Sequence, residues 1–147
     1  MNKNNNDSDA PEIGPEFAVA AAEQCVLIVK KVYDIDLDFT PESLTRVETI
    51  FDSLREEGCK ANEVTGFLTA LGCYLGEVIV RNIGGVWRPT VDTVMATSTD
   101  NVVVIELTPP GIVLNPLGKA YKRMVHGSDD NVEAYYYWIK QTFAAEG

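Results

Sequence analysis

Positions 72 to 87, GCYLGEVIVRNIGGVW, gather the residue types most able to do chemistry in this chain. They hold a carboxylate, Glu77, a guanidinium four residues on, Arg81, and, beyond a glycine pair, Trp87 followed by Arg88. A carboxylate shut away from water beside such groups can take up or release a proton, or help orient a ligand. The same i, i+4 order is also that of a solvated helical ion pair, which contributes about 0.3 kcal/mol and needs no function. The burial of Glu77 therefore decides between a site and a packing joint. Gly72 and Gly76, four apart, fall on one edge of the apolar stripe of the same helix. Each costs roughly 1 kcal/mol of helix propensity relative to alanine, and the close approach of another element is the simplest compensation. Trp87 and Arg88 stand where they could line a pocket, with burial of Trp87 the plainer expectation.

A second constellation is Lys119, Lys122, Arg123 and His126, read as one face of a helix whose other face buries Leu117, Tyr121 and Met124. It is the densest positive group in the chain and could hold a phosphate, a carboxylate or an acidic segment of a partner. A solvated face accounts for it without any function, since Arg123 and His126 fall in the last turn, where the helix dipole favours cations. His126 is the only histidine, and Cys25, Cys59 and Cys73 form no C-x-x-C pair, so no metal site and no cofactor are expected. That histidine sits in HGSDD, which reads as a helix stop followed by a cap, and no G-x-S-x-G turn is present. The Gly84–Gly85 pair precedes a strand, whereas phosphate-cradling loops precede a helix. No catalytic residue is assigned.

The elements that must position these residues are legible from periodicity. Residues 1–15 are polar, with four asparagines in the first six positions, and read as a disordered tail before a single domain over 16–147. A first helix runs from Phe17 to Tyr33. Thr40–Pro41 starts a second, with Leu44, Val47, Ile50, Phe51 and Leu54 as its buried stripe and Gly58 as its stop. Asn62 opens a third, burying Val64, Phe67, Leu68, Leu71, Leu75 and Val78. Then the period changes. Val86–Val91 and Val94–Thr97 read as short strands, the run from Val102 to Thr108 as a strand buried on both faces, and Ile112–Leu114 as its antiparallel return after a Pro-Pro-Gly turn. Asn115–Pro116 repeats the cap-then-proline signal for a helix that Gly127 stops, and Ser128 or Asp129 caps a last helix burying Val132, Tyr135, Tyr136, Ile139 and Phe143. Two of Tyr135, Tyr136, Tyr137 and Trp138 must then point outward, which marks this helix as a docking face or a homodimer interface. The order is N-terminal helices, a small antiparallel meander of three to four strands and two C-terminal helices: an α+β fold.

Composition narrows the functional classes. The 147 residues suffice for one domain with a sizeable core. The net charge is -10, and it is uneven: residues 1–63 carry 14 acidic and 6 basic side chains, residues 64–147 carry 8 and 6. Nucleic acid is not an expected partner, because phosphate binding needs clustered Lys and Arg. An acidic face on the first helices would instead attract a basic protein. Three cysteines, an odd number, suit a reducing cytoplasm. The apolar run FAVAAAEQCVLIV, broken by Glu23 and Gln24, is too short to span a membrane and lacks a basic lead-in, so neither a membrane anchor nor a secretory signal is expected.

Three segments carry a resemblance: DFTPESLTRVETIFDSL, LGCYLGEVIVRNIGGVW and LNPLGKAYKRMVHGSDDNVEAYYYWIK. Over about residues 37–143 the chain resembles a family of small bacterial proteins known as domain of unknown function 3806. Its Y-L-G-E-V segment ending in G-G-x-W and its N-P-x-x-x-x-x-K-R segment are the motifs concerned. The resemblance implies an α+β domain and brings no catalytic residues to transfer; the long first helix departs from the pattern. The function expected is a non-catalytic interaction module, immunity-type or regulatory, presenting an acidic helical face. The alternative is a small-molecule, anion-binding or hydrolytic domain with a site between the glycine-bearing helix and the meander.

Overall fold

The computed structural model describes residues 14–99, 101–108 and 110–144; of the expected tail, positions 1–13 lie outside these. The fold is α+β, with helices α1 (Pro15–Tyr33), α2 (Ser43–Glu56) and α3 (Thr65–Asn82), strands β1 (Val86–Pro89), β2 (Val103–Leu107) and β3 (Ile112–Leu114), and helices α4 (Pro116–His126) and α5 (Val132–Ile139). The strands form an antiparallel sheet in the order β1-β2-β3, with Trp87 opposite Ile105 and Ile105 opposite Leu114. No helix among the described residues is long and apolar enough to cross a membrane.

Helix α3 is the axis of the molecule. It is apolar on nearly every side, its only charged residues being Glu77 and Arg81, and a helix of that kind must be covered all round. It is: every residue from Ala70 to Ile79 is buried. Helices α1 and α4 pack on it, and α2 lies against α4 and α5. Tyr74 ties the centre to the α1–α2 link. Its hydroxyl lies 2.5 Å from Ser43 Oγ and accepts the Phe39 backbone N–H at 2.8 Å, and the Phe39 ring stacks on it at 4.8 Å.

Local chemistry sets the ends of these elements. Thr40 Oγ1 accepts the Ser43 N–H, so the anticipated cap is present although regular helix begins two residues later. Gly58 adopts φ 82°, the left-handed stop. Asn115 accepts the Gly118 N–H at the head of α4, where Pro116 takes the first position.

Four expectations need correction. The third helix begins at Thr65, after a 3-10 turn over Ala61–Glu63. Residues 94–97 form no strand; Thr93 Oγ1 accepts the Met95 N–H, and backbone bonds from Ala96 to Thr93 and from Ser98 to Met95 close successive turns. The cap of α5 is Asn131, whose side chain accepts the Ala134 N–H, while Ser128 and Asp129 sit in a 3-10 turn. On α4 the buried set is Leu117, Ala120, Arg123 and Met124, and Tyr121 and Val125 are exposed.

Candidate functional site

Glu77 is 4% exposed. Arg81 Nε donates to its Oε1 at 2.9 Å and the Trp87 indole N–H to its Oε2 at 2.8 Å. The glycines explain how Trp87 arrives there. A Cβ on Gly76 would run into the Trp87 ring and the Pro116 side chain, and one on Gly72 would stand 2.8 Å from Leu117 Cα. The strand-borne indole and the head of α4 are thus seated against bare helix backbone, and Glu77 accepts the one polar hydrogen that the buried indole brings with it. Arg81 remains partly exposed and stacks over the Phe39 ring, 3.7 Å from its centroid. Arg88 lies on the sheet and donates to Glu106 Oε1 at 2.7 Å, so it does not join Glu77. Of the four residues singled out around the meander, the structure brings together Glu77, Arg81 and Trp87.

The basic group on α4 is divided. Arg123 is fully buried and belongs to no anion-binding face. Its Nε donates to Glu48 Oε1 at 2.9 Å and its Nη2 to Asp52 Oδ1 at 2.6 Å, both on α2. Glu48 also accepts the Asn131 side-chain amide at 2.9 Å and the Val132 backbone N–H at 2.7 Å, so one carboxylate ties α2 to α4 and to the start of α5. Lys119 and His126 are both held by Asp130, at 3.0 and 2.7 Å. These contacts, His126 first and Lys119 second, keep the Asp130 carboxyl below the usual carboxylate range. Lys122 is exposed and, with Lys119, lines an open cavity of about 530 Å³ that also meets Asn101, Asn115, Tyr121 and Tyr135.

The buried thiols are chemically quiet. Burial first, then proximity to Cys73, pushes Cys25 up to about 12; burial first, then the Glu77 charge, does the same for Cys73. All three cysteines are free. Among the described residues no three His, Cys, Asp or Glu side chains converge as metal ligands.

A surface that periodicity only partly disclosed lies along α2 and α5. Glu42, Thr45, Thr49, Asp52 and Glu56 recur at i, i+3, i+7, i+10 and i+14, and all are exposed. Thr45 Oγ1 donates to Glu133 Oε2 at 2.8 Å, which joins this stripe to α5. There Tyr137 is 41% exposed and Trp138 54%, whereas Tyr136 is buried. The Tyr137 phenol is pushed up by its surroundings, first by partial desolvation and then by the charges of Glu42 and Glu133. Exposed Tyr137 therefore stands near two carboxylates, Glu42 and Glu133, with Trp138 next to it in the chain. The outward pair of the aromatic run is the one that helical spacing predicts; of its acidic neighbours Glu133 lies one turn away and Glu42 some 95 residues earlier in the chain.

No family model, no curated protein and no solved structure matches the chain.

Proposed function

We propose that the protein is a non-catalytic interaction module of the cytoplasm that docks a basic partner on the α2–α5 face. The observation that carries this is the exposed Tyr137 near Glu42 and Glu133, with exposed Trp138 following it on the same helix. Large aromatic anchors supply contact energy, and the surrounding carboxylates steer and select a cationic partner. Glu77 is buried, as a site there would require, but both its oxygens are held by internal donors, and that closed geometry supports a joint of the fold. The free thiols accord with a reducing compartment. The two motifs behind the family resemblance meet in this joint, Gly76 against Trp87 and Pro116, which gives a physical reason for them to occur together.

The test is affinity capture with the wild-type chain and a Glu42→Lys/Tyr137→Ala/Trp138→Ala variant at low and moderate salt. Proteins retained by the wild type, lost with the variant and weakened by salt support the reading. Identical capture by both chains, or capture indifferent to salt, refutes it.

A second reading rests on the cavity beside Lys122, whose volume of about 530 Å³ is that of a small-molecule site. It would take a compact anion, and titration with inorganic phosphate against a Lys122→Ala control tests it: saturable binding lost in the variant is the expected result.

A further inference from the structure

Helix α1 carries apolar residues beyond the side that the core covers. Ala18, Ala22, Cys25 and Val29 are buried in the core. On the opposite side Leu27 is 63% exposed, with Phe17 and Ala20 also open. On a helical wheel Phe17, Ala20, Ala21, Gln24, Leu27 and Ile28 make a continuous stripe of i, i+3, i+4, i+7 spacing, the pattern of a helix that packs on a second partner as well as on its own core. Single exposed apolar residues need no explanation, but a stripe running most of the length of a helix does.

Shape and charge on this surface indicate what covers it. Five stripe residues, Phe17, Ala20, Ala21, Gln24 and Ile28, form one wall of a groove of about 560 Å³ whose other wall is Gly66, Thr69 and Ala70 of α3. Apart from Phe17, Gln24 and Ile28 these groove residues are small, and Leu27 follows on the outer edge of the same stripe. The same surface thus carries both knob and hole, which is what a two-fold, self-complementary contact requires. The charges along the helix are polarised: Glu16 and Glu23 in its N-terminal half, Lys30 and Lys31 in its last turn. Lys30 is occupied by Asp34 and Asp36 at 3.0 and 3.2 Å, whereas Lys31 has no ion pair among the described residues. Two α1 helices set antiparallel about an axis near Gln24, the midpoint of Pro15–Tyr33, bring Lys31 of each copy beside the Glu16 end of the other and set the two Gln24 amides side by side. A parallel pairing would oppose like charges instead.

We infer that α1 is a homodimer interface, in which a second copy of this chain lies antiparallel across the stripe and places Leu27 in the small-residue groove of its mate. This contact is separate from the α2–α5 face and does not depend on the function proposed for it.

Sedimentation velocity on the full chain, from low to high micromolar concentration, tests the inference. The expected result is a species of twice the chain mass. Leu27→Glu, at a site already exposed in the single chain, places an unpaired carboxylate in the contact twice and should weaken association by more than about a hundredfold, with the circular dichroism unchanged. Lys31→Glu alone should weaken it, and Glu16→Lys/Lys31→Glu should restore it. A wild-type chain that stays monomeric throughout overturns the inference. So does a dimer that survives Leu27→Glu but is lost on Trp138→Ala, because its contact would then lie on α5.

Discussion

At Glu77 both carboxylate oxygens are engaged, one by the Arg81 guanidinium and the other by the Trp87 indole. The two contacts differ in weight because their surroundings differ. Trp87 is buried, so removing its acceptor strands a donor without water; Arg81 is partly exposed and can be hydrated instead. Glu77→Ala is expected to lower stability by about 2–4 kcal/mol in urea unfolding and Arg81→Ala by about 1 kcal/mol at most. The reverse order would mean that the ion pair, and not the indole bond, holds the joint. Gly76 can be tried in the same assay. An alanine there gains helix propensity but meets the Trp87 ring, for a net loss of about 2–3 kcal/mol, while Gly66→Ala, with open space around it, gains up to about 1 kcal/mol. That Gly72 and Gly76 mark a close approach was readable from their i, i+4 spacing on an apolar stripe. What approaches was not, because Trp87 and Pro116 reach them only through the sheet and the head of α4.

At the scale of elements, α4 shows where periodicity stops being sufficient. Leu117, Ala120, Tyr121, Met124 and Val125 make a regular apolar stripe, and Arg123 lies at its edge. The fold turns the helix so that Tyr121 and Val125 face out and Arg123 faces in. A buried guanidinium is tolerated only where partners hold it, and its partners Glu48 and Asp52 are more than 70 residues away, on α2. No local pattern could announce that. By contrast the starts of α2 and α4 were legible because a cap acts within a few residues, as Thr40 on Ser43 and Asn115 on Gly118 do. Arg123→Ala should cost about 3–5 kcal/mol by leaving Glu48 buried and unpaired. Arg123→Met combined with Glu48→Gln should recover more than half of that loss, since the glutamine keeps an acceptor for Val132 and no charge is left inside. A double variant as unstable as the single one would show that the pair holds the helices in register rather than merely balancing charge.

For the molecule as a whole, burial separates the three thiols. Cys25 and Cys73 are buried, with proton affinities pushed up to about 12, whereas Cys59 is half-buried. A thiol-specific reagent at mildly alkaline pH should modify one cysteine rapidly in the native chain, Cys59, and all three after unfolding. The same shifts give stability a pH dependence of known sign. Below the ordinary thiol value of 9.0 folded and unfolded chains both keep these protons. As pH rises from 9.0 towards about 12 the unfolded chain loses them first, so stability falls, and the Tyr135 phenol, raised from 10.0 to about 12 by burial, adds to the fall. Urea midpoints that stay level across that range would contradict the burial of these groups.

The acidic, aromatic surface shared by α2 and α5 is the centre of the functional account. It is tested most directly by an amide and indole chemical-shift titration of the isotope-labelled chain with a peptide rich in lysine and arginine at low salt. Glu42, Thr45, Glu133, Tyr137 and the Trp138 indole are expected to move together, to return as salt is added, and to leave the buried Trp87 indole in place. Shifts centred on any other surface, or none at all, would contradict it.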